Sequence, residues 1–207
     1  MVTVYSAPNT RAIRVLWLLE ELGVKADIKS LPYPPRKLRP DYLAVNPTGL
    51  VPLLIDGEVR LSESMAICEY LAAKHGSPLV VPSGDPERPQ FLQWLWYGES
   101  TLMTSVGRVW TLSRHERKSA DIDAIIADTR ATVVDRLQAL EQRLEGRDFL
   151  VAGRLTLADM SVIYPLWLMA LLGADNLLGR RSAAYYERLR SRPAYQRALA
   201  IIQETLE

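Results

Sequence analysis

The spacing of apolar positions changes character along the chain. Val2-Thr-Val-Tyr5 alternates over a short β-prone stretch and predicts a strand. From Arg11 to Leu22, Ile13, Leu16, Trp17 and Leu19 recur near helical spacing, and Gly23 follows as a helix stop. Ala26 to Leu31 predicts a second strand, and a proline-rich loop leads to a short helix near Asp41 to Val45. Val51 to Ile55 and Glu58 to Leu61 read as two strands joined at Asp56-Gly57. Ser62 to Lys74 predicts a helix carrying Met65, Ile67, Tyr70 and Leu71. The order is β-α-β-α-β-β-α around a mixed sheet. Beyond it the pattern is helical only: Gln90 to Arg114, Asp121 to Leu144, a helix opened by Thr156, then Ala183 to Ser191 and Ala194 to Leu206. The Asp121 helix shows a stripe from Ile122 through Ile126, Val133 and Leu137 to Leu140.

Proline marks the change between these regimes. Eleven of the 13 prolines fall at or before Pro89, and Ser77 to Pro89 is dense in turn residues. The expected organisation is a sheet-containing domain over 1–76, a linker over 77–89 and an all-helical domain over 90–207.

Composition narrows the function classes. With 48% hydrophobic and 24% charged residues in a chain of 207, a packed core is affordable and disorder is disfavoured. Lys plus Arg is 25 against 24 for Asp plus Glu, so the basic excess of a nucleic-acid binder is missing. No uncharged apolar run reaches the roughly 18 residues of a membrane span. The stretch from Met160 to Asn176 holds Pro165 and Asp175 and predicts a buried helix. Met1 to Pro8 lacks the basic start of a signal peptide. The single cysteine, Cys68, and the distant His75 and His115 offer no disulfide and no zinc-site spacing, so no metal is expected. A reducing, cytoplasmic setting fits these features.

Two short segments can carry binding chemistry. A proline opening the third strand, Val51-Pro52, resembles the thioredoxin-type arrangement. There the proline is cis, and the residue before it turns its N–H and C=O away from the sheet, where an extended peptide can pair with them. The plainer alternative is that Pro52 only starts a strand. Glu63-Ser64 lies where a strand hands over to a helix, a place that attracts a carboxylate. Ser64 adds a hydroxyl and Glu63 can accept from an ammonium, so together they suit an amino-acid head group. The alternative is capping, with Ser62 as N-cap and Glu63 as a first-turn charge.

Taken together, these segments resemble the cytosolic glutathione transferase family, bacterial type, over nearly the whole chain. The resemblance rests on Val4-Tyr-Ser-Ala-Pro-Asn-Thr-Arg11, Leu18-Leu-Glu-Glu-Leu-Gly23, Asn46-Pro-x-Gly-x-Val-Pro-x-Leu54, Glu63-Ser64 with Ile67 and Tyr70-Leu71, and Leu155-Thr-Leu-Ala-Asp159. It implies an α+β thioredoxin-like domain followed by an all-α bundle. It also implies glutathione as co-substrate and a homodimer, with neither nucleic acid nor membrane as partner. Val51 would pair with the cysteinyl backbone, Glu63 and Ser64 would hold the γ-glutamyl end, and Lys37 and Arg39 are candidates for the glycine carboxylate. The thiolate would attack a small apolar electrophile or an organic peroxide. A non-catalytic interaction module and a glutathione-dependent isomerase or dehalogenase are the alternatives. Thr156-x-x-Asp159 reads as a structural capping box whose loss costs ~1 kcal/mol.

A free thiol with a pKa near ~8.5 is only about 3% thiolate at pH 7, and the resemblance implies that the loop from Ser6 to Arg11 supplies the donor to sulfur. Tyr5 comes too early in the strand, and the loop has no cysteine. By the resemblance, in which Pro-Asn precedes the first helix of some bacterial members, Asn9 ranks first, Thr10 second and Ser6 third, with Asn9 or Thr10 also available as N-cap of the following helix. Cys68, inside a helix, is expected to be inert. For the electrophile, Met103 and Trp110 on the first long helix of the second domain are the candidates, with Arg108 and Arg114 for an anionic substrate.

Overall fold

The computed structural model of the chain describes residues 1–116 and 119–203. The fold divides into two compact units, one made of Met1–Val80 together with the chain from Arg190 onward, the other of Val81–Leu189.

The first unit is built on four strands: β1 (Val2–Ser6), β2 (Ala26–Ser30), β3 (Leu53–Asp56) and β4 (Val59–Ser62). Their spatial order is β2-β1-β3-β4, with β1 parallel to β2 and the β1–β3 and β3–β4 pairs antiparallel. Helix α1 (Ala12–Leu22) makes the crossover from β1 to β2, as a parallel pair requires. A four-residue helix α2 (Pro35–Leu38) and a 3₁₀ turn (Pro40–Ala44) fill the proline-rich stretch, and α3 (Ser64–Lys74) follows β4. The core collects Val4, Leu16, Trp17, Leu54, Ile67 and Leu71, all essentially without solvent contact.

The capping alternative does not hold with Ser62 as N-cap, and the helix expected from Ser62 starts later. Ser62 does not cap α3, because it is the last residue of β4 and pairs with Leu53. Glu63 stands at the cap position with φ 70°, and the helix starts at Ser64.

The C-terminal helix α9 (Pro193–Gln203) also belongs to the first unit, whereas proline content alone assigns all of 90–207 to one helical domain. Tyr195 meets Trp17 of α1 edge-on at 5.2 Å between ring centroids. Arg192 forks onto Glu21 at 2.7 and 2.9 Å, and Arg197 donates to Glu20 at 2.6 Å. The expected helix ran to Leu206, which lies outside the described residues.

The second unit contains α4 (Arg88–Trp96), α5 (Met103–Ser113), α6 (Ala120–Arg143), α7 (Leu157–Leu171) and α8 (Arg180–Arg190), the last reaching one residue past the unit's edge. The single helix expected over 90–114 is interrupted by a π-helical turn, Tyr97–Leu102. Close packing on α7 accounts for it: a Cβ on Gly98 would stand 2.5 Å from Ser161 Oγ, and that hydroxyl donates to the Leu95 carbonyl at 2.7 Å. The α6 stripe is buried only from Thr129 onward, through Val133, Leu137 and Leu140. Among the described residues, no helix is long and apolar enough to cross a membrane.

Candidate functional site

Strand register brings three segments to one end of the first unit's sheet. Tyr5 pairs with Leu53, and Leu53 pairs with Ser62. The loop after β1, the two residues before β3 and the two after β4 therefore leave the sheet side by side. The Val51–Pro52 peptide is cis. The ladder starts at Leu53, so Val51 lies outside it, half-buried, while Pro52 is buried.

The loop leading into this peptide is held from behind. Asn46 is buried, donates from Nδ2 to the Leu50 carbonyl at 2.8 Å and accepts from the Thr48 N–H at 3.2 Å and hydroxyl at 3.0 Å. The Tyr42 hydroxyl donates to the same Leu50 carbonyl at 2.9 Å. Arg36 donates to the Thr48 carbonyl at 3.1 Å. Gly49 is doubly required, since its φ is +65° and a Cβ would lie 2.8 Å from Arg36 Cβ. This network fixes the chain that delivers Val51.

Across the hairpin, Glu63 is exposed on its left-handed turn and Ser64 is buried at the first position of α3. The Ser64 hydroxyl oxygen accepts from Nη1 of Arg14, itself fully buried on α1, at 3.1 Å. The first helical bond in α3 runs from the Ile67 N–H to the Glu63 carbonyl at 3.0 Å, so the N–H groups of Ser64, Met65 and Ala66 precede it.

The third segment carries the loop candidates Ser6, Asn9 and Thr10. Ser6 is buried at the end of β1, in register with Ser30. Thr10 is buried and donates its hydroxyl to the Ala7 carbonyl at 2.6 Å while accepting weakly from the Ala12 N–H at 3.4 Å. Asn9 occupies the turn between them, half-buried with φ 58°, a conformation asparagine tolerates better than most residues. Tyr5 stays in the strand with its ring against Tyr42, 5.3 Å between centroids.

A strand-adjacent cis proline, a helix start bearing an acid–hydroxyl pair and a donor loop at one sheet end invite comparison with known proteins. Residues 1–73 match the family model described as glutathione S-transferase, N-terminal domain. Glutathione S-transferase GstA of Escherichia coli O157:H7 is 30% identical over 164 residues, 77% of each chain. The chain belongs to the glutathione S-transferase family. Its activity class is accordingly that of a glutathione transferase. A solved glutathione transferase of Methylococcus capsulatus is 27% identical with a TM-score of 0.83, covering 99% of this chain and 100% of its own. A family member from Pseudomonas fluorescens, solved with two glutathione bound, is 25% identical with a TM-score of 0.83, covering 96% and 92%.

Against this family background the remaining candidates sort by what already holds them. Arg39 is exposed but forks onto Asp41 at 3.0 and 2.7 Å, which raises the guanidinium's pKa and lowers the carboxyl's. Lys37, exposed on α2, carries no such fork. In the second unit Met103 is buried on α5, and Trp110 is half-buried with the Arg114 guanidinium 4.7 Å from its ring centre. Cys68 is fully buried inside α3, and burial pushes its thiol up to about 12. Sequence reasoning overlooked Arg14 and the Tyr42–Asn46 brace. The signal for Arg14 was available: a charged residue between Ile13 and Val15 in an otherwise apolar helix half.

Proposed function

We propose that this transferase binds glutathione along the sheet end just described and directs its thiolate at an apolar electrophile or organic peroxide. One observation carries the reading. The β3–β4 register sets the cis Val51–Pro52 peptide across from Glu63-Ser64, at the spacing of neighbouring strands. An extended tripeptide can then pair through its cysteinyl amide with the Val51 main chain while its γ-glutamyl end reaches α3. Glu63 accepts from the ammonium. Ser64 and the first N–H groups of α3 take the carboxylate. For the glycine carboxylate Lys37 is the better placed cation, since Arg39 is already committed to Asp41.

At sulfur, Asn9 is the donor this reading selects. Thr10 has one hydroxyl proton and spends it on Ala7, and Ser6 is held in the strand. Lowering the thiol pKa by about two units takes about 2.7 kcal/mol and leaves about three-quarters thiolate at pH 7. One or two charge-assisted hydrogen bonds plus the positive end of α1 can supply that. With a carbon electrophile the sulfur then forms its bond to carbon as the leaving group departs with the electron pair. With a peroxide it bonds to oxygen as the alkoxide departs, and a second glutathione then gives the disulfide and water. In neither case is a side chain covalently changed. The same reading has the protein as a homodimer in a reducing, cytoplasmic setting. Leu92 and Trp96, four residues apart on α4 and 38% and 58% exposed, support self-association.

The test is calorimetry with glutathione followed by turnover with an aryl halide and with cumene hydroperoxide. Millimolar or tighter binding with turnover of either substrate is expected. No heat of binding at millimolar glutathione overturns the reading, and binding without any turnover makes the site a recognition module.

A further inference from the structure

Burying a guanidinium costs several kcal/mol, and a leucine would fill the same helix face without that penalty. Arg14 is fully buried nonetheless, and its Nη1 reaches 3.1 Å from Ser64 Oγ. A guanidinium can only donate, whereas a serine hydroxyl has one hydrogen and two lone pairs. The contact therefore occupies a lone pair of Oγ and turns the hydroxyl hydrogen away from Arg14. Ser64 is the first residue of α3, and the residue four positions back, Arg60, lies in β4. The usual back-bond of a helical serine to the preceding turn is not offered there. The hydrogen is left to point with the N–H groups of the first turn. The positive charge of Arg14 also acts on the interior of α3, where it opposes the rise that burial imposes on the Cys68 thiol.

We propose that Arg14 is a positioning residue for glutathione: it fixes the Ser64 hydroxyl as a donor to the γ-glutamyl carboxylate and sets a positive charge behind that contact. This rests on the assignment of Glu63-Ser64 to the γ-glutamyl end. Arg14 touches neither sulfur nor electrophile, so its removal acts on glutathione binding and not on the chemical step.

The experiment is a double-mutant cycle on the full chain, using Arg14→Gln, Arg14→Lys, Ser64→Ala and the two double variants. Glutathione affinity is read by calorimetry, kcat and KM by turnover, and folding by circular dichroism. Losing an ordered hydrogen bond to a charged group corresponds to ~10-fold weaker glutathione binding in Arg14→Gln, seen in KM with kcat at saturating glutathione nearly kept. In the Ser64→Ala background the same change is expected to cost less than ~2-fold. Arg14→Lys, which keeps charge and a donor, loses less, and its loss also vanishes without Ser64. An equal loss in both backgrounds overturns the positioning role while leaving the glutathione site intact. A Ser64→Ala variant with unchanged affinity removes the γ-glutamyl assignment, and the proposal falls with it. A chain that folds with neither Arg14 substitution assigns Arg14 to the core and also overturns the role.

Discussion

Thr10 and Asn9 are neighbours in a short loop, yet the structure gives them different work. The Thr10 hydroxyl closes the loop onto Ala7 at 2.6 Å, while Asn9 takes the left-handed turn. A hydrogen bond to a thiolate favours the charged form and lowers its pKa, so removing it must raise the pKa. Asn9→Ala is expected to raise the thiol pKa of bound glutathione by about one unit with affinity nearly kept, read from ultraviolet thiolate absorbance against pH. Thr10→Val is expected to cost ~1 kcal/mol of stability and leave that pKa in place. A reversed outcome makes Thr10 the sulfur donor. What sequence could supply at this scale were the contiguous motifs, Val51-Pro52 and Glu63-Ser64, whose residue types fit only a few chemistries. It ranked Asn9 above Thr10 on resemblance alone, because a hydroxyl's single proton is assigned by three-dimensional neighbours. Arg14 escaped because helical spacing assigns a charged residue to solvent, and here its partner lies fifty positions away.

The capping element before α7 shows how an element's role grows once its surroundings are known. Read from sequence, Asp159 closes a capping box with Thr156, and α7 does open that way. The carboxylate is also fully buried and accepts from the Thr156 N–H and hydroxyl, from the Leu150 N–H at 3.0 Å and from the Tyr185 hydroxyl at 2.9 Å. Asp159→Ala would strand several buried donors, so the expected cost rises from ~1 to about 3–5 kcal/mol by urea denaturation. A loss near 1 kcal/mol would mean that these donors find other partners. The α1–α9 clasp has an acid-sensitive counterpart in Glu21. Burial pushes its carboxyl up, but the Arg192 fork, the Trp17 indole and the charges of Arg192 and Arg197 pull it further down, leaving it below the ordinary value. A depressed carboxyl stabilises the fold above its unfolded pKa, and that stabilisation disappears as pH falls through the folded value. Wild type is therefore expected to exceed Glu21→Gln in melting temperature at neutral pH, with the gap closing in acid. A gap independent of pH would place the effect in packing rather than charge.

Proline density located the change from sheet to helices, because prolines stand where regular structure breaks. It could not show where the chain goes afterwards. The segment from Arg190 returns to the first unit, and its Tyr195 closes over a Trp17 side chain that is left without solvent contact. A Trp is among the largest apolar surfaces a small domain can bury, and exposing one whole forfeits about 4–6 kcal/mol at ~25 cal/mol per Å². The Arg192 fork on Glu21 and the Arg197 hydrogen bond to Glu20 would be lost with it. Stability of a small folded unit totals only about 5–15 kcal/mol, so a fragment ending at Val80 stands close to the unfolding threshold. Such a fragment is expected to show a broad, weak urea transition. Joining residues 190–207 to it through a long Gly/Ser linker is expected to restore a single cooperative one, followed by circular dichroism. A fragment 1–80 that unfolds as sharply alone would show that the sheet-containing unit owes nothing to the helix that returns to it.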